Sequence, residues 1–225
     1  MSDQKKEKSL LGGLLSEVDF RRIWVVGSLS MSNQWLEMLA ISLFVYNATQ
    51  SAMAVTLANF ARVLPMALFG SLTGAIADRV DRRKLLIAAF LLLFSSSTIL
   101  ALLALLQLIE IWHITVGMFL TGVVFSTDFP VRRNMLGDIA GLQRIGGAMG
   151  LDSVGRNATR VVGPLLGGVL MEYVGLHGAY FVIAAFYVVI IFQLIQFRNA
   201  AREHEILENA AASSIHQKVL FIPSL

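Results

Sequence analysis

The stretch GAIADRVDRRK, residues 74–84, puts six ionised side chains into eleven positions of a 225-residue chain that is 56% hydrophobic and only 15% charged. On either side of it runs an apolar segment long enough to cross a bilayer, which takes about 20 residues. A short basic turn between two such segments is expected to be a cytoplasmic hairpin joining transmembrane helices, because Lys and Arg are retained on that side of the membrane. Soluble domains carry about 25% charged residues, spread more evenly than here. Lipid is therefore the expected solvent, and the fold class an all-α polytopic membrane protein.

Working outward with a hydrophobic window of about 20 residues places six helices near 23–46, 52–77, 85–109, 114–129, 149–174 and 179–197. Lys5, Lys6, Lys8, Arg21 and Arg22 precede the first helix. Arg79, Arg82, Arg83 and Lys84 occupy the second connection, and Arg132, Arg133 and Arg144 the fourth, which is read as about 15 residues long. The three intervening connections contain neither Lys nor Arg. Both termini are thus expected on the cytoplasmic side, with residues 1–22 an amino-terminal segment, 23–197 the bundle and 198–225 a polar tail or linker. The net charge of +3 belongs to helix ends facing anionic lipid, so no nucleic-acid partner is expected. Cysteine is absent, which excludes disulfides and thiolate metal sites, and no metal or cofactor is expected. Motifs of zinc hydrolases, serine hydrolases and phosphate-binding loops are missing, so an enzyme is not expected either.

The second informative stretch is Arg160-Val-Val-Gly163-Pro164-Leu-Leu-Gly167-Gly168. Glycines four apart clear a stripe for close helix approach, and Pro164 frees a backbone carbonyl and bends the axis. The hairpin resembles the Gly-x-Leu-Ala-Asp-Arg-x-Gly-Arg-Arg loop of the major facilitator superfamily of secondary transporters, with Gly74, Ile76, Asp78, Arg79, Arg82 and Arg83 on the pattern and Asp81 where Gly is usual. The Gly163–Gly168 stretch resembles the fifth-helix motif of that superfamily's proton-coupled exporters. With Phe20-Arg21-Arg22-Ile-Trp24, Asn33-Gln-Trp35, Arg62-Val-Leu-Pro65 and Pro130-Val-Arg132, the chain is similar to the branch of bacterial siderophore and macrolide exporters, from about Phe20 to Phe197. The resemblance implies half of a twelve-helix fold built from two inverted three-helix repeats, in a bacterial inner membrane. An internal echo, Arg62-Val-Leu-Pro65 against Arg160-Val-Val-Gly-Pro164, agrees with such repeats.

Charges inside membrane segments are expensive and mark pathways or pairs. The candidates are Glu37, Arg62, Asp128, Arg156 and Arg160. Counted from the outer helix ends, Glu37 and Arg62 both lie about 15 Å deep, and Asp128 and Arg160 about 21 to 24 Å deep, so each set is expected to be able to pair. Arg156 is one turn from Arg160 on the same face. The resemblance places the first and fourth helices on a central cavity, which makes Glu37 or Asp128 the candidate proton-coupling acid. It also casts Asp78 with Arg132, beside Gly74, Arg79, Asp81, Arg82 and Arg83, as a cytoplasmic gate.

These readings imply the amino-terminal half of a proton-driven exporter of small organic molecules, a multidrug- or siderophore-type antiporter working by alternating access. Its partners are expected to be the lipid bilayer, protons, an organic substrate, and a second six-helix half or a homodimeric twin. A homodimeric half-transporter and a non-transporting membrane scaffold or truncated product are the alternatives.

Overall fold

The computed structural model describes residues 13–77 and 81–197, with side chains for all of these except 70–77. After a helical turn at 13–16, six long helices follow in order: α1 (Val18–Thr49), α2 (Ala52–Ala77), α3 (Arg82–Leu105), α4 (Ile111–Ala140), α5 (Ile145–Tyr173) and α6 (Gly175–Gln196). Four of them are long and apolar enough to cross a membrane, namely α3, α4, α6 and, in α2, the stretch Ala52–Phe69. The other two, α1 with 32 residues and α5 with 29, have the length but are more polar. Their polarity has a structural reason: α1 runs through the middle of the bundle, and α5 is built from glycines on one side and arginines on another.

The most extensive helix contacts join α1 to α5, α2 to α4 and α3 to α6. Exchanging the first three helices for the last three in order maps this set onto itself, since α1 with α5 becomes α4 with α2 and α3 with α6 returns. Inverted three-helix repeats produce that pairing. The core lies between α1, α3, α4 and α6, where Phe20, Ile23, Leu36, Ile41, Phe90, Met118, Leu136 and Tyr180 are almost wholly buried.

Two boundaries differ most from the sequence reading. The fourth helix does not stop before Pro130 but continues through it to Ala140. Arg132 and Arg133 are therefore helical and not in a loop, and only residues 141–144 separate α4 from α5, well short of about 15. Proline removes one intrahelical donor, but Val131, Arg132, Met135, Leu136 and Ala140 beyond it are all buried, and that packing holds the helix together. The first helix likewise starts early, at Val18, because Phe20 belongs to the core.

Basic side chains at one end of the bundle cap helix termini. Asp81, unusual for the loop pattern, is the N-cap of α3, its carboxylate accepting from the backbone N–H of Arg83 (3.0 Å) and Lys84 (3.2 Å). Arg83 donates from Nε to the Leu194 carbonyl at 2.8 Å and also bonds the Ile195 carbonyl, while Arg22 bonds the Gln196 carbonyl and its Oε1. The last turn of α6, whose carbonyls lack intrahelical partners, is thus closed by guanidinium groups from α1 and α3. Arg82 pairs with Asp138 at 2.7 Å, and Arg144 with Glu17 at 2.6 Å. Replacing Asp81 with alanine should lower stability by about 1 kcal/mol, the usual worth of an N-cap. A thermal melt of the solubilised protein checks this, and an unchanged midpoint would remove the cap from the account.

Candidate functional site

On α1, Ser30, Asn33, Gln34 and Glu37 recur at intervals that place them on one helix face, and all four are buried. Burying a polar group without partners is costly, so the partners define the site. Glu37, 4% exposed, accepts through Oε2 from the Thr121 hydroxyl of α4 at 3.2 Å. Asn33 donates to the Ile183 carbonyl of α6 at 3.2 Å, and Ser30 donates to Asp128 Oδ2 at 3.1 Å. Arg62 of α2 donates to the Gln34 carbonyl at 3.1 Å. Among the described residues Arg62 and Glu37 form no ion pair within 4 Å. The expected Glu37–Arg62 pair is therefore replaced by two neighbouring contacts on α1.

A second group is a ladder of alternating charge across α4 and α5. Arg132 Nε lies 3.5 Å from Asp128 Oδ1, Arg132 Nη1 is 3.2 Å from Asp152 Oδ1, and Arg156 Nη1 is 3.4 Å from Asp152 Oδ2. Asp128 and Arg132 are each 1% exposed. Two i, i+4 pairs, Asp128 with Arg132 and Asp152 with Arg156, are thereby joined across two helices that otherwise share one of the smaller interfaces in the bundle. The four charges sum to zero. Arg132 fits because α1 has Gly27 there; a Cβ at that position would overlap the guanidinium.

Asp128 thus meets Arg132 and Ser30, not Arg160 as the depth count suggested. Arg156 joins the ladder and also lies over the Phe129 ring, 5.3 Å from its centroid. Arg160 stands apart, exposed, with its guanidinium 5.6 Å from the centroid of the Trp35 ring. Asp78 and Arg79 lie outside the described residues and Gly74 is described only as α2 backbone, so the Asp78–Arg132 gate falls outside them too, as does the tail 198–225. What Arg132 does hold is Asp128 and Asp152.

Asp152, Ser30 and Thr121 were missed in sequence. The α1 residues had a signal in their 3-4-7 spacing, and Asp152 had one in its i, i+4 relation to Arg156. Thr121 had none, since hydroxyls are common in apolar helices.

The fifth-helix motif is used inside the chain. Gly163 and Gly167 are buried against α1: a Cβ on Gly163 would come within 2.6 Å of Trp35 Cβ and 2.9 Å of the Ser32 carbonyl, and one on Gly167 within 2.9 Å of the Leu36 carbonyl. Gly168 has only Leu39 Cδ2 nearby, at an ordinary 3.6 Å. Pro164 is half-buried within an unbroken helix.

Chemically, the two acids differ. Asp128 is fixed in an ion ladder, whereas Glu37 is held by a hydroxyl and can change protonation state without breaking an ion pair. An exposed cation in the middle of a long helix, as at Arg160, would cost about 2.5 to 3.5 kcal/mol on insertion scales if that helix crossed a bilayer with the cation facing lipid. Its surface therefore belongs to water, a ligand or another protein face.

Comparison with known proteins supplies the context. A family model described as transmembrane secretion effector matches residues 12–222. Macrolide efflux protein A of Streptococcus pyogenes is 28% identical over 113 residues, covering 49% of this chain and 28% of that protein. An uncharacterized MFS-type transporter of Bacillus subtilis, YfiS, is 26% identical over 206 residues, 87% of this chain and 47% of the relative. The staphyloferrin A transporter of Staphylococcus aureus is 28% identical over 138 residues, 61% and 35%. The chain spans about half the length, or less, of the curated relatives it matches.

Proposed function

The chain belongs to the transmembrane secretion effector family of major facilitator transporters, and from that premise we propose that it forms one six-helix half of a proton-coupled exporter of small organic molecules that works by alternating access. The relatives named for macrolide efflux and for staphyloferrin A transport support export of drug-like or siderophore-like compounds. A second six-helix unit, from a twin or another polypeptide, faces the side bearing Arg160 across a water-filled cavity. Both termini are cytoplasmic, and the membrane is a bacterial inner membrane.

The observation that carries the coupling step is the buried Glu37, held among the described residues by the Thr121 hydroxyl. Glu37 carries the proton; the Asp128–Arg132–Asp152–Arg156 ladder keeps α4 and α5 in register while the halves rock. A protonatable acid whose surroundings change between two states links proton binding to the conformational equilibrium.

The test is substrate movement in sealed vesicles under an imposed pH gradient. Glu37→Gln should abolish gradient-driven transport by about tenfold or more while leaving energy-independent counterflow nearly intact, because the substrate path is unchanged and only proton binding is lost. Gradient-driven transport surviving in Glu37→Gln would sink this assignment. Loss of both modes from well-folded protein would make Glu37 a structural or substrate-contacting group instead.

A further inference from the structure

We propose that Arg160, laid over Trp35, is the oxyanion subsite of this half, recognising the carboxylate or phosphate of an amphiphilic organic anion. Arg160 sits fifteen residues from the start of α5 and thirteen from its end, so it is at the middle of the helix. It is exposed, and among the described residues no acid lies within ion-pair distance of it. Arg132 and Arg156, by contrast, are paired with acids. A positive group at that depth, left uncompensated by the protein, is kept for a visitor of opposite sign.

The surroundings define the rest of the ligand. One side of the guanidinium is taken by the indole of Trp35, which leaves its N–H edge for a bidentate oxyanion. Gly163, one turn along α5, lets the helix approach Trp35 closely enough for the stack to form. The Trp35 ring at the guanidinium is apolar and only partly buried, which suits an apolar body attached to the anionic group. On the other flank of the same turn of α1, Arg62 bonds the Gln34 carbonyl. The two arginines of the internal echo thus converge on consecutive α1 residues, but only Arg160 is exposed. Glu37, Asp128 and Asp152 are buried whereas Arg160 is exposed, so the charge offered to a visitor at this position is positive.

The inference rests on the transport reading for the visitor being cargo, and the experiment reads binding alone, so it stands or fails apart from proton coupling. The full chain is placed in nanodiscs of zwitterionic lipid and titrated with three probes sharing one ring system: 2-naphthoate, neutral 2-naphthamide and cationic 2-naphthylmethylammonium. Naphthoate should bind about tenfold tighter than the amide, and the cation weakest. Arg160→Gln should erase the preference for the anion while retaining the helical circular dichroism and monodispersity of the parent, since the side chain is exposed. Arg160→Lys, which keeps the charge but not the planar fork, should retain part of it. Equal binding of all three probes, or an anion preference that survives Arg160→Gln, overturns the proposal. So does an anion preference that disappears when phosphatidylglycerol is included in the disc, because the guanidinium then serves a lipid headgroup and not cargo.

Discussion

Arg132→Met should destabilise the protein by about 3 to 5 kcal/mol, the loss expected when one member of a buried ion pair is removed and the others stay. The reason is geometric. Arg132 stands between Asp128 at 3.5 Å and Asp152 at 3.2 Å, itself only 1% exposed. Without it Asp128 keeps only Ser30, and Asp152 keeps only Arg156 at 3.4 Å. Since folded proteins have a margin of about 5 to 15 kcal/mol, much of it would be gone, and the melting temperature and yield of solubilised protein should fall together. Adding Asp152→Asn and Asp128→Asn to Arg132→Met should recover part of the loss, because neutral side chains no longer need the guanidinium. A triple variant no more stable than Arg132→Met would show that shape, not charge, is what Arg132 contributes.

Gly122→Ala should be the most disruptive of the small substitutions, at about 3 kcal/mol, the upper end for overpacking a tight interface. A Cβ at this position on α4 would overlap the carbonyl oxygen of Arg62 on α2, and a helix backbone cannot swing aside as a side chain can. Gly168→Ala is the matched control. Its nearest neighbour is Leu39 Cδ2 at 3.6 Å, so it should shift stability by no more than about 0.5 kcal/mol, the range of a substitution that meets no clash. Thermal melts of the two variants, purified alike, decide the matter, and similar midpoints would contradict the α2–α4 packing described above.

The contrast between these glycines shows how far the sequence could be read. The Gly163–Gly168 motif stood out because its glycines are close together and flank a proline, yet within it Gly163 and Gly167 touch α1 and Gly168 does not. Gly122 had no motif around it, although its clearance is among the tightest in the bundle. A similar limit applied to charge. Depth along a helix is countable at about 1.5 Å per residue, so Glu37, Arg62, Asp128, Arg156 and Arg160 were expected as intramembrane charges. Rotation about the helix axis was not fixed by that count, and the partners came out differently: Thr121 for Glu37, the Gln34 carbonyl for Arg62, Trp35 for Arg160.

By itself, the sequence determined the solvent, the number and order of the long helices, and the family, because these depend on the lengths of apolar runs, the placement of basic residues and two short motifs that survive without knowledge of neighbours. Only the tertiary structure decided that α4 runs through Pro130 to Ala140, that Arg132 is buried between two aspartates, and that Arg160 is left exposed on an indole. Each of those depends on which faces of separate helices meet. In a bilayer every backbone group is satisfied within its own helix, so the local pattern says where a helix is, while packing across helices says what each polar side chain must find as its partner.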